Sequence, residues 1–395
     1  MFHTLAGYCL HWQFAANGRP LQQGEIDPAL YAATPPGGEA DFSLKAPAPL
    51  PQGEEVTLTF TWLLAESTPW AAAGHETAFS QFVLQPAAPP RFFEGPAPAL
   101  ENHGGDIVVA GPGFTCRFCR GRLTAYLVNG KNLLVAPLLP NHHRALTDND
   151  RGYANFVPLL ARFLPNFKWV RGAAKFHPTR IRAVRLENAV QVTVHWRHPL
   201  CKQTTTLYTI RGDGSLEIRH TTVSKRLPML RAGLQLGLGP LFQRAEWYGR
   251  GPHENYCDRK AGARLGLFEG SLESLEHRYM RPQENGTRSD VRSLYLAGEG
   301  ETALRFTDLS GNGFYFSAWP YTQEALQKAT HLHTLPNAGY CTVNVAGAMC
   351  GVGGDLPGVA ALHPPYILPP RTEQVTHVLL QPVAARPGGK EKKED

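Results

Sequence analysis

The chain has 395 residues, of which 43% are hydrophobic and 18% charged, a composition that describes a folded protein with room for two domains. The formal net charge of +6 is mild for this length, and we read the Lys and Arg residues as scattered, which predicts no nucleic-acid partner. A signal peptide and an apolar stretch of membrane-spanning length are both lacking, so we expect a cytoplasmic protein with no membrane partner. Seven scattered cysteines, an odd number, fit a reducing compartment.

Short strands separated by turns are predicted for residues 8–85. Residues 8–16 are apolar and aromatic, Asn17-Gly18 is a strong hairpin signal, and residues 56–62 alternate with a period of two. This pattern is typical of a β-sandwich, which we assign to residues 1–88.

A stretch rich in proline, residues 89–104, predicts an extended linker. Strand patterns resume after it and include a hairpin around Gly212-Asp213-Gly214. Helical spacing is seen only in residues 322–332, so we predict an all-β chain with one short helix. The predicted regions are the sandwich at 1–88, the linker at 89–104, a second β domain at 105–383 and a disordered tail at 384–395.

Two segments, residues 247–256 and 281–288, are dense in glycine, proline, asparagine and charge, which is typical of hydrogen-bonded turns near a functional rim. Because glycosidases use two carboxylates that face each other across a sugar, every carboxylate in such a region is a candidate. Each of those in this chain also has a neighbour that suggests a structural role. The candidates are Asp148, Asp150, Glu254, Asp258, Glu284, Asp290 and Asp355.

Two other motifs suggest chemistry that their context does not support. Cys116 and Cys119 form a CxxC within a predicted strand, where residues three apart point to opposite faces, so we predict neither a metal nor a redox site. Residues 351–355 are glycine-rich like a phosphate-binding loop, but no Lys-Ser or Lys-Thr follows. We interpret them as a turn at the end of a strand.

The turn-rich segments carry a resemblance to a known family. Residues 247–256, Asp258-Arg259 and residues 282–286 resemble the C-terminal domain of the large β-galactosidases of glycoside hydrolase family 2, which some bacteria carry as a separate small subunit. Further matches are Leu10-His11-Trp12 and residues 73–76, 147–152, 316–318, 329–331 and 351–355. The resemblance implies an immunoglobulin-like β-sandwich followed by a galactose-mutarotase-like β-supersandwich.

The resemblance also implies that this chain lacks the catalytic machinery. In that family the catalytic glutamates and a Mg²⁺ site lie in a (β/α)8 barrel that precedes the matched region, and the alternating pattern of such a barrel is absent here. We therefore expect no catalytic residue, metal or cofactor on this chain. The turn residues become a structural signature, namely Gly251, Pro252, Glu254, Asn255, Tyr256, Asp258, Arg259, Glu284, Asn285 and Gly286.

A second set of residues is expected near the substrate. By resemblance, residues 148–152 form a mobile loop with Gly152 as its hinge, and a loop at 340–344 reaches the same pocket with Tyr340 as an aromatic platform. The expected substrate-proximal residues are Asp148, Asn149, Asp150, Gly152, His331, Tyr340 and Asn344.

The first functional hypothesis is a non-catalytic small subunit that completes the active site of a barrel-bearing β-galactosidase chain acting on galactosides such as lactose. The family's sandwich has strands before Leu10-His11-Trp12, so a partner chain or a second copy is expected to cover an exposed edge. A stand-alone carbohydrate-binding protein is one alternative. A mutarotase-like enzyme that uses His220, His253 or His331 as acid or base is another.

Overall fold

The computed structural model describes residues 4–298, 302–355 and 362–385. Over these ranges the chain is composed mainly of antiparallel strands, which confirms the predicted all-β class. It divides into two compact units: one comprises the residues up to Pro90 together with Arg264–Leu267, and the other comprises the remainder. None of the helices in the described ranges is both long and apolar enough to cross a membrane.

The first unit contains a four-stranded sheet in the order β2-β1-β3-β4. Asn17 and Gly18 join the first two strands with φ angles of 46° and 79°, the left-handed values that a tight hairpin turn requires, so this predicted hairpin is confirmed. The strands are β1 (Tyr8–Ala16), β2 (Arg19–Ile26), β3 (Val56–Leu64) and β4 (Glu76–Gln85).

An irregular segment covers this sheet. The core of the unit is built from Leu10, Ile26 and Tyr31, and the Tyr31 hydroxyl donates to the carbonyl of Tyr8 at 3.0 Å. Phe42 and Leu44, which follow in the segment between β2 and β3, pack against the same core. The prolines of this segment remove backbone donors, so it supplies a covering layer without forming ladder hydrogen bonds.

Two large antiparallel sheets make up the second unit, apart from Arg264–Leu267 of their strand β17, which are grouped with the first unit. Their orders are β18-β21-β22-β15-β10-β8-β7-β6-β5, with β9 paired to β8, and β11-β12-β13-β14-β23-β20-β19-β16-β17. The strands are β5 (Ala99–His103), β6 (Asp106–Gly111), β7 (Phe114–Cys119), β8 (Arg122–Val128), β9 (Lys131–Asn132), β10 (Leu134–Asn141), β11 (His177–Arg185), β12 (Ala189–Arg197), β13 (Cys201–Arg211), β14 (Leu216–Ser224), β15 (Arg231–Leu238), β16 (Phe242–Gly251), β17 (Arg264–Ser271), β18 (Arg288–Val291), β19 (Ser293–Gly298), β20 (Thr302–Asp308), β21 (Phe314–Trp319), β22 (Cys341–Met349) and β23 (Glu373–Ala384).

One apolar core includes residues from both large sheets. In β12, Val190, Val192, Val194 and Trp196 are buried in alternation, because successive side chains of a strand point to opposite faces. The same core includes Phe118 and many other side chains of the longer sheet. Cys116 is buried and Cys119 exposed, as expected for opposite faces of β7. The predicted hairpin at residues 212–214 is confirmed between β13 and β14.

Helices are short and more numerous than predicted. The described helices are α1 (Asp148–Arg151), α2 (Pro165–Gly172), α3 (Leu272–Leu275) and α4 (Gln323–Lys328). The predicted helix at residues 322–332 corresponds to α4, which ends at Lys328. The expectation of a single helix was wrong, because an eight-residue helix such as α2 is too short to display a helical period in the sequence.

The predicted linker and tail need two corrections. Residues 99–103 of the predicted linker form β5, which pairs with β6 across the Gly104-Gly105 turn. This pairing is possible because no proline follows Pro98 within the strand. At the other end Ala384 still belongs to β23, and residues 386–395 of the predicted tail lie outside the described residues, as do residues 356–358 after the glycine-rich turn.

Candidate functional site

Arg144 is the buried centre of a group of loops that we call the loop assembly, formed by residues 144–152, 254–259, 281–288 and 350–353. Its Nε and Nη2 atoms donate to the two carboxylate oxygens of Asp150, each at 2.9 Å. Nη1 and Nη2 also donate to the carbonyls of Cys350 and Gly351 at 3.0 and 2.7 Å. Although burial lowers the pKa of Arg144, the charge of Asp150 leaves that pKa above its ordinary value. Arg144 therefore joins two distant loops.

The expected mobile loop at residues 148–152 is a short helix, α1. Thr147 Oγ1 accepts from the Asp150 amide at 3.0 Å, while Asp150 Oδ2 accepts from the Thr147 amide at 3.1 Å. This reciprocal capping box satisfies amides at the start of the helix, and so the loop prediction is corrected. The S/T-x-x-D spacing in the sequence was the signal for it.

The backbone of Asp148 and the side chain of Asn149 connect α1 to other predicted segments. The Asp148 amide donates to Gln283 Oε1 at 3.1 Å, and Asn149 Nδ2 donates to the Val352 carbonyl at 2.9 Å. The structure thus brings Asp148, one of the residues predicted to lie near a substrate, together with residues 281–288, and Asn149 together with the glycine-rich turn.

Gly152 ends α1 with φ 53° and ψ −134°, a conformation that residues other than glycine adopt only with strain. We expect Gly152→Ala to lower the free energy of unfolding by about 1–3 kcal/mol, measured by urea denaturation. Gly262→Ala is the matched control, because Gly262 has no positive φ and no heavy atom within 4 Å of an added Cβ. Equal effects of the two substitutions would contradict a special role for the Gly152 conformation.

The signature residues around Glu254 hold the turns of the loop assembly. The Glu254 carboxylate accepts from the Gly286 amide at 2.7 Å and from the side chains of Arg259 and Tyr279. Next to it, Asn255 Oδ1 accepts from the amide and hydroxyl of Ser289 at 2.9 and 2.6 Å. These side chains replace backbone partners that turns lack.

The other signature residues have similar surroundings. Gly251 and Pro252 are joined by a cis peptide bond, and Arg288 donates to the Pro252 carbonyl at 3.1 Å. Asn285 Oδ1 accepts from the His277 amide at 3.1 Å. Gly286 has φ 69°, and a Cβ there would lie 2.6 Å from the Leu275 carbonyl oxygen. Tyr256 is buried at the start of the turn that ends at Arg259.

Asp258 organises the glycine-rich turn at residues 351–355. Its Oδ2 atom accepts from the amides of Val352 and Gly353 at 2.8 and 2.7 Å. A Cβ on Gly351 would lie 2.4 Å from the same oxygen, so only glycine fits there. The turn begins two residues after β22 ends at Met349, which confirms the interpretation as a strand-end turn.

A buried ion pair lies behind the loop assembly. Arg231 Nη2 donates to Glu284 Oε1 at 3.0 Å, and both side chains are almost completely buried. Thr287 Oγ1 donates to the same oxygen at 2.7 Å, and Arg231 Nη1 donates to Gln323 Oε1 at 2.9 Å. Burial raises the pKa of Glu284, and the charge of Arg231 opposes that rise.

Asn344 belongs to this buried polar network and does not lie in a loop. It is in β22 and only 1% exposed, with Oδ1 accepting from Asn141 and Gln235, both at 2.8 Å. The predicted loop at residues 340–344 is therefore wrong, because pairing with β15 and β21 continues the strand to Cys341. At the other end of the network, His143 contacts Gln323 at 2.7 Å, and burial and Arg231 lower the pKa of His143 to about 3.

The candidate carboxylates all have partners in the structure. Glu254, Asp258, Asp150 and Glu284 are bound as described above, and Asp148 lies 3.5 Å from Arg281. The remaining two are Asp290, bound by Arg250 and Lys260 at 2.6 and 3.0 Å, and Asp355, bound by His363 at 2.7 Å. Paired with basic side chains or backbone amides, these groups serve to fix loops.

Tyr340 lies at a separate cavity of about 600 Å³. The lining includes Tyr321, Glu276, Arg278 and Asn337, but no residue of α1. The expectation that Tyr340 and residues 148–152 share one pocket is therefore not met. His331 is exposed at the start of a short 3-10 turn, where its ring stacks on His333, and it does not line this cavity.

A cluster of three histidines and one cysteine, which we call the histidine cluster, lies in the core and escaped the sequence prediction. His142 Nε2 and His220 Nε2 are 3.0 Å apart, and Cys201 Sγ lies 3.6 Å from Nδ1 of both His142 and His198. These are metal-ligand residue types, but among the described residues no group of three or more such side chains is arranged to hold a metal.

A donor at one end of the histidine cluster and an acceptor at the other fit a single direction of hydrogen bonding through it. At one end the indole of Trp196 can only donate, and its partner is Thr206 Oγ1 at 3.0 Å; at the other end the Gly172 carbonyl can only accept, and its partner is His198 Nε2 at 2.9 Å. Donation that runs from Thr206 to His220, then to His142, Cys201 and His198 satisfies each of these contacts. Each histidine is neutral with one N–H. Burial lowers the pKa of all three, and that of His220 to about 3.

Sequence reasoning missed Arg144, Arg231 and Gln323 as well as the histidine cluster. Many of their partners lie far along the chain and are brought together by the order of strands in the sheets. The nearest available signal was the position of Arg144 and Arg231 beside apolar residues, since a buried arginine needs a partner.

Comparisons with known proteins cover nearly the whole chain. A family model described as "Beta galactosidase small chain" matches residues 110–379, and one described as "Beta-galactosidase, domain 4" matches residues 1–85. The β-galactosidase of Priestia megaterium is 30% identical over 386 residues, 93% of this chain and 35% of that protein. β-Galactosidase 2 of Enterobacter cloacae is 30% identical over 396 residues, 95% of this chain and 36% of that protein. This chain thus spans about a third of the length of the curated relatives it matches.

Solved structures with similar shape include sugar epimerases. A GalM/aldose epimerase homologue from C. elegans aligns with 73% of this chain and 100% of that chain, at 10% identity and a TM-score of 0.38. A putative aldose 1-epimerase from Escherichia coli K12 covers 74% of this chain and 100% of that chain, at 10% identity and a TM-score of 0.36. Similarity at this level has no bearing on activity.

Proposed function

We propose, from the premise that this chain belongs to the β-galactosidase small-chain family, that it forms the non-catalytic C-terminal part or small subunit of a β-galactosidase. It would complete the active site of a barrel-bearing chain that hydrolyses terminal β-D-galactosides such as lactose. The main support is that the two family models together account for residues 1–85 and 110–379, while the curated relatives are about three times as long as this chain.

The state of the carboxylates supports a non-catalytic role. A retaining or inverting glycosidase needs one carboxyl group free to act as an acid and a second free to attack or to activate water. In this chain Glu254 and Glu284 are both bound by arginine, and Asp258 by two amides. The reacting pair, and any Mg²⁺ with it, would accordingly be supplied by the partner chain.

We further propose that α1 contributes to the substrate side of the assembled enzyme. Asp148 is half-exposed, and α1 is held by Arg144 and by the segment at residues 281–288. A helix fixed in this way can position a side chain toward a neighbouring chain without further ordering.

All seven cysteines are free, which supports a cytoplasmic location.

The proposal predicts that the purified chain alone will not hydrolyse o-nitrophenyl galactoside, measured by release of nitrophenol. The physical reason is that its carboxylates are bound to arginine and amide donors. The full-length P. megaterium enzyme serves as the positive control in the same assay. Turnover by the chain alone, retained after size-exclusion purification, would overturn a non-catalytic role.

A stand-alone carbohydrate-binding protein is the second candidate, favoured by the cavity beside Tyr340. Sugars bind where an aromatic face lies close to polar side chains, and Asn337 and Glu276 line the same cavity. Calorimetry with galactose and lactose separates the two candidates, since only this one requires binding by the chain alone. A mutarotase-like activity has less support, because His220 is fully buried and His253 and His331 are exposed on different loops.

A further inference from the structure

Residues 156–163 expose an unusual concentration of large apolar side chains, and we call them the apolar segment. Phe156, Leu159 and Phe163 are 78%, 64% and 61% exposed, and Val157 is 48% exposed. Single exposed apolar residues are ordinary, but several within eight residues mark an interaction surface.

The segment is fixed at both ends, so its exposure is not the result of fraying. Before it, Asn155 donates to the Asp148 carbonyl at 3.1 Å and accepts from Arg281 at 3.1 Å. After it, the Trp169 indole of α2 donates to the Pro228 carbonyl at 2.6 Å, and its ring stacks on His198 of the histidine cluster. A surface held in this way is already shaped for a partner.

The stretch of chain that contains the apolar segment carries charge of one sign. Contrary to the expectation of scattered charge, residues 151–186 contain eight Lys and Arg residues and no Asp or Glu. Those at Arg162, Lys168, Arg171 and Lys175 are exposed. A partner surface that fits would therefore be apolar at its centre and acidic at its rim.

We infer that the apolar segment and its basic surroundings dock the polypeptide that corresponds to the remaining two thirds of the curated β-galactosidases. This inference rests on the proposed function and adds the surface and its chemistry. The relatives matched over 35% and 36% of their length contain such a polypeptide. The helix proposed to face the substrate, α1, is joined to α2 because Asn166 donates to the Asp150 carbonyl at 3.1 Å.

Other occupants fit less well. A second copy of the same segment would bring the exposed Arg162, Lys168, Arg171 and Lys175 against four more positive charges, which is unfavourable. A membrane surface prefers a continuous amphipathic helix, whereas Pro158 and Pro165 divide this region into a short 3-10 turn and an eight-residue helix with Trp169 facing inward.

The test is co-expression of the full chain with a tagged polypeptide comprising the part of the P. megaterium β-galactosidase that lies outside the match. Co-purification, the Kd of the complex and o-nitrophenyl galactoside hydrolysis are measured. The variants are Phe156→Ser/Leu159→Ser and Lys168→Glu/Lys175→Glu. Leu241→Ser, a change at a 49% exposed leucine elsewhere, is the matched control. Equal thermal unfolding of all variants establishes that they are folded.

We expect both double variants to weaken the complex by at least about tenfold, with the lysine variant also losing the salt dependence of binding, and Leu241→Ser to have no effect. Wild-type complex formation that neither double variant weakens would overturn the docking surface but leave the proposed function intact. Failure of the wild-type chain to bind at all would overturn both. Binding of the wild type to phosphatidylserine vesicles, lost in the variants while the protein complex persists, would replace the protein partner with a membrane.

Discussion

Glu284→Leu should lower the free energy of unfolding by about 3–5 kcal/mol, because it leaves the buried guanidinium of Arg231 without its counter-charge. The pair is 3.0 Å apart, and its side chains are 2% and 0% exposed. The same substitution removes the acceptor of the Thr287 hydroxyl. Equilibrium urea unfolding followed by circular dichroism measures the change.

Arg231→Met and the double variant complete a thermodynamic cycle. We expect the double variant to cost clearly less than the sum of the two single changes, because it leaves no buried charge unpaired. Glu324→Ala is the control, since the Glu324–Lys328 pair has a similar separation of 2.6 Å but is exposed, and its loss should cost below about 1 kcal/mol. Additive single changes at Arg231 and Glu284 would show that the pair is not coupled.

Acidification from pH 8.0 to pH 5.5 should destabilise the folded chain by about 3 kcal/mol through His143 and His220 alone. Both have folded pKa values of about 3, far below the value of about 6.5 in the unfolded chain. In this range the unfolded state binds more protons than the folded state. The contribution of the two histidines to the free energy of unfolding is therefore fully present above pH 6.5 and decreases as the pH is lowered. Each histidine contributes about 1.4 kcal/mol for the one pH unit between 6.5 and 5.5.

Other titrating groups add to or oppose this loss of stability, so the contribution of His220 is isolated with variants. His142 and His198 belong with His220 to the histidine cluster, and their lowered pKa values also destabilise the folded chain at low pH. Burial raises the pKa of Glu284, which has the opposite effect on stability. Urea unfolding at the two pH values should show a smaller difference for His220→Leu and an unchanged difference for His253→Ala, which alters an exposed ring. Equal stability of the wild type at pH 8.0 and 5.5 would contradict neutral buried histidines.

Local patterns in the sequence were enough to predict most strands and hairpins. The Asn17-Gly18 turn and the hairpin at residues 212–214 depend on contacts between residues close in the chain, and the alternation at residues 56–62 is visible within a single strand. β5 was missed although its contacts with β6 across the Gly104-Gly105 turn are equally local, because the prolines that precede it favoured an extended linker over residues 89–104.

Some parts of the candidate site could likewise be predicted from the sequence, and others could not. Turn chemistry marked the segments around Glu254 and Asn285, and the structure places both among hydrogen-bonded turns. The arginine that joins α1 to residues 350–351 could not be identified, since Arg144 meets carbonyls more than 200 positions away. Asn344 was misplaced because the loop at residues 340–344 was inferred from the family resemblance, whereas the alternation of apolar and polar residues from Cys341 to Val345 is itself typical of a strand.

The carboxylate of Asp258 gives the glycine-rich turn a property that its sequence conceals. Successive amides such as those of Val352 and Gly353 form a concave site that attracts anions. Here the chain supplies the anion from its own side chain, so the site is saturated intramolecularly. A phosphate ion from solution would have to displace the Asp258 carboxylate, whose effective concentration at these amides exceeds that of a free ion because it is part of the same chain. The turn therefore does not bind a free anion, and its amides instead hold two segments of the chain together.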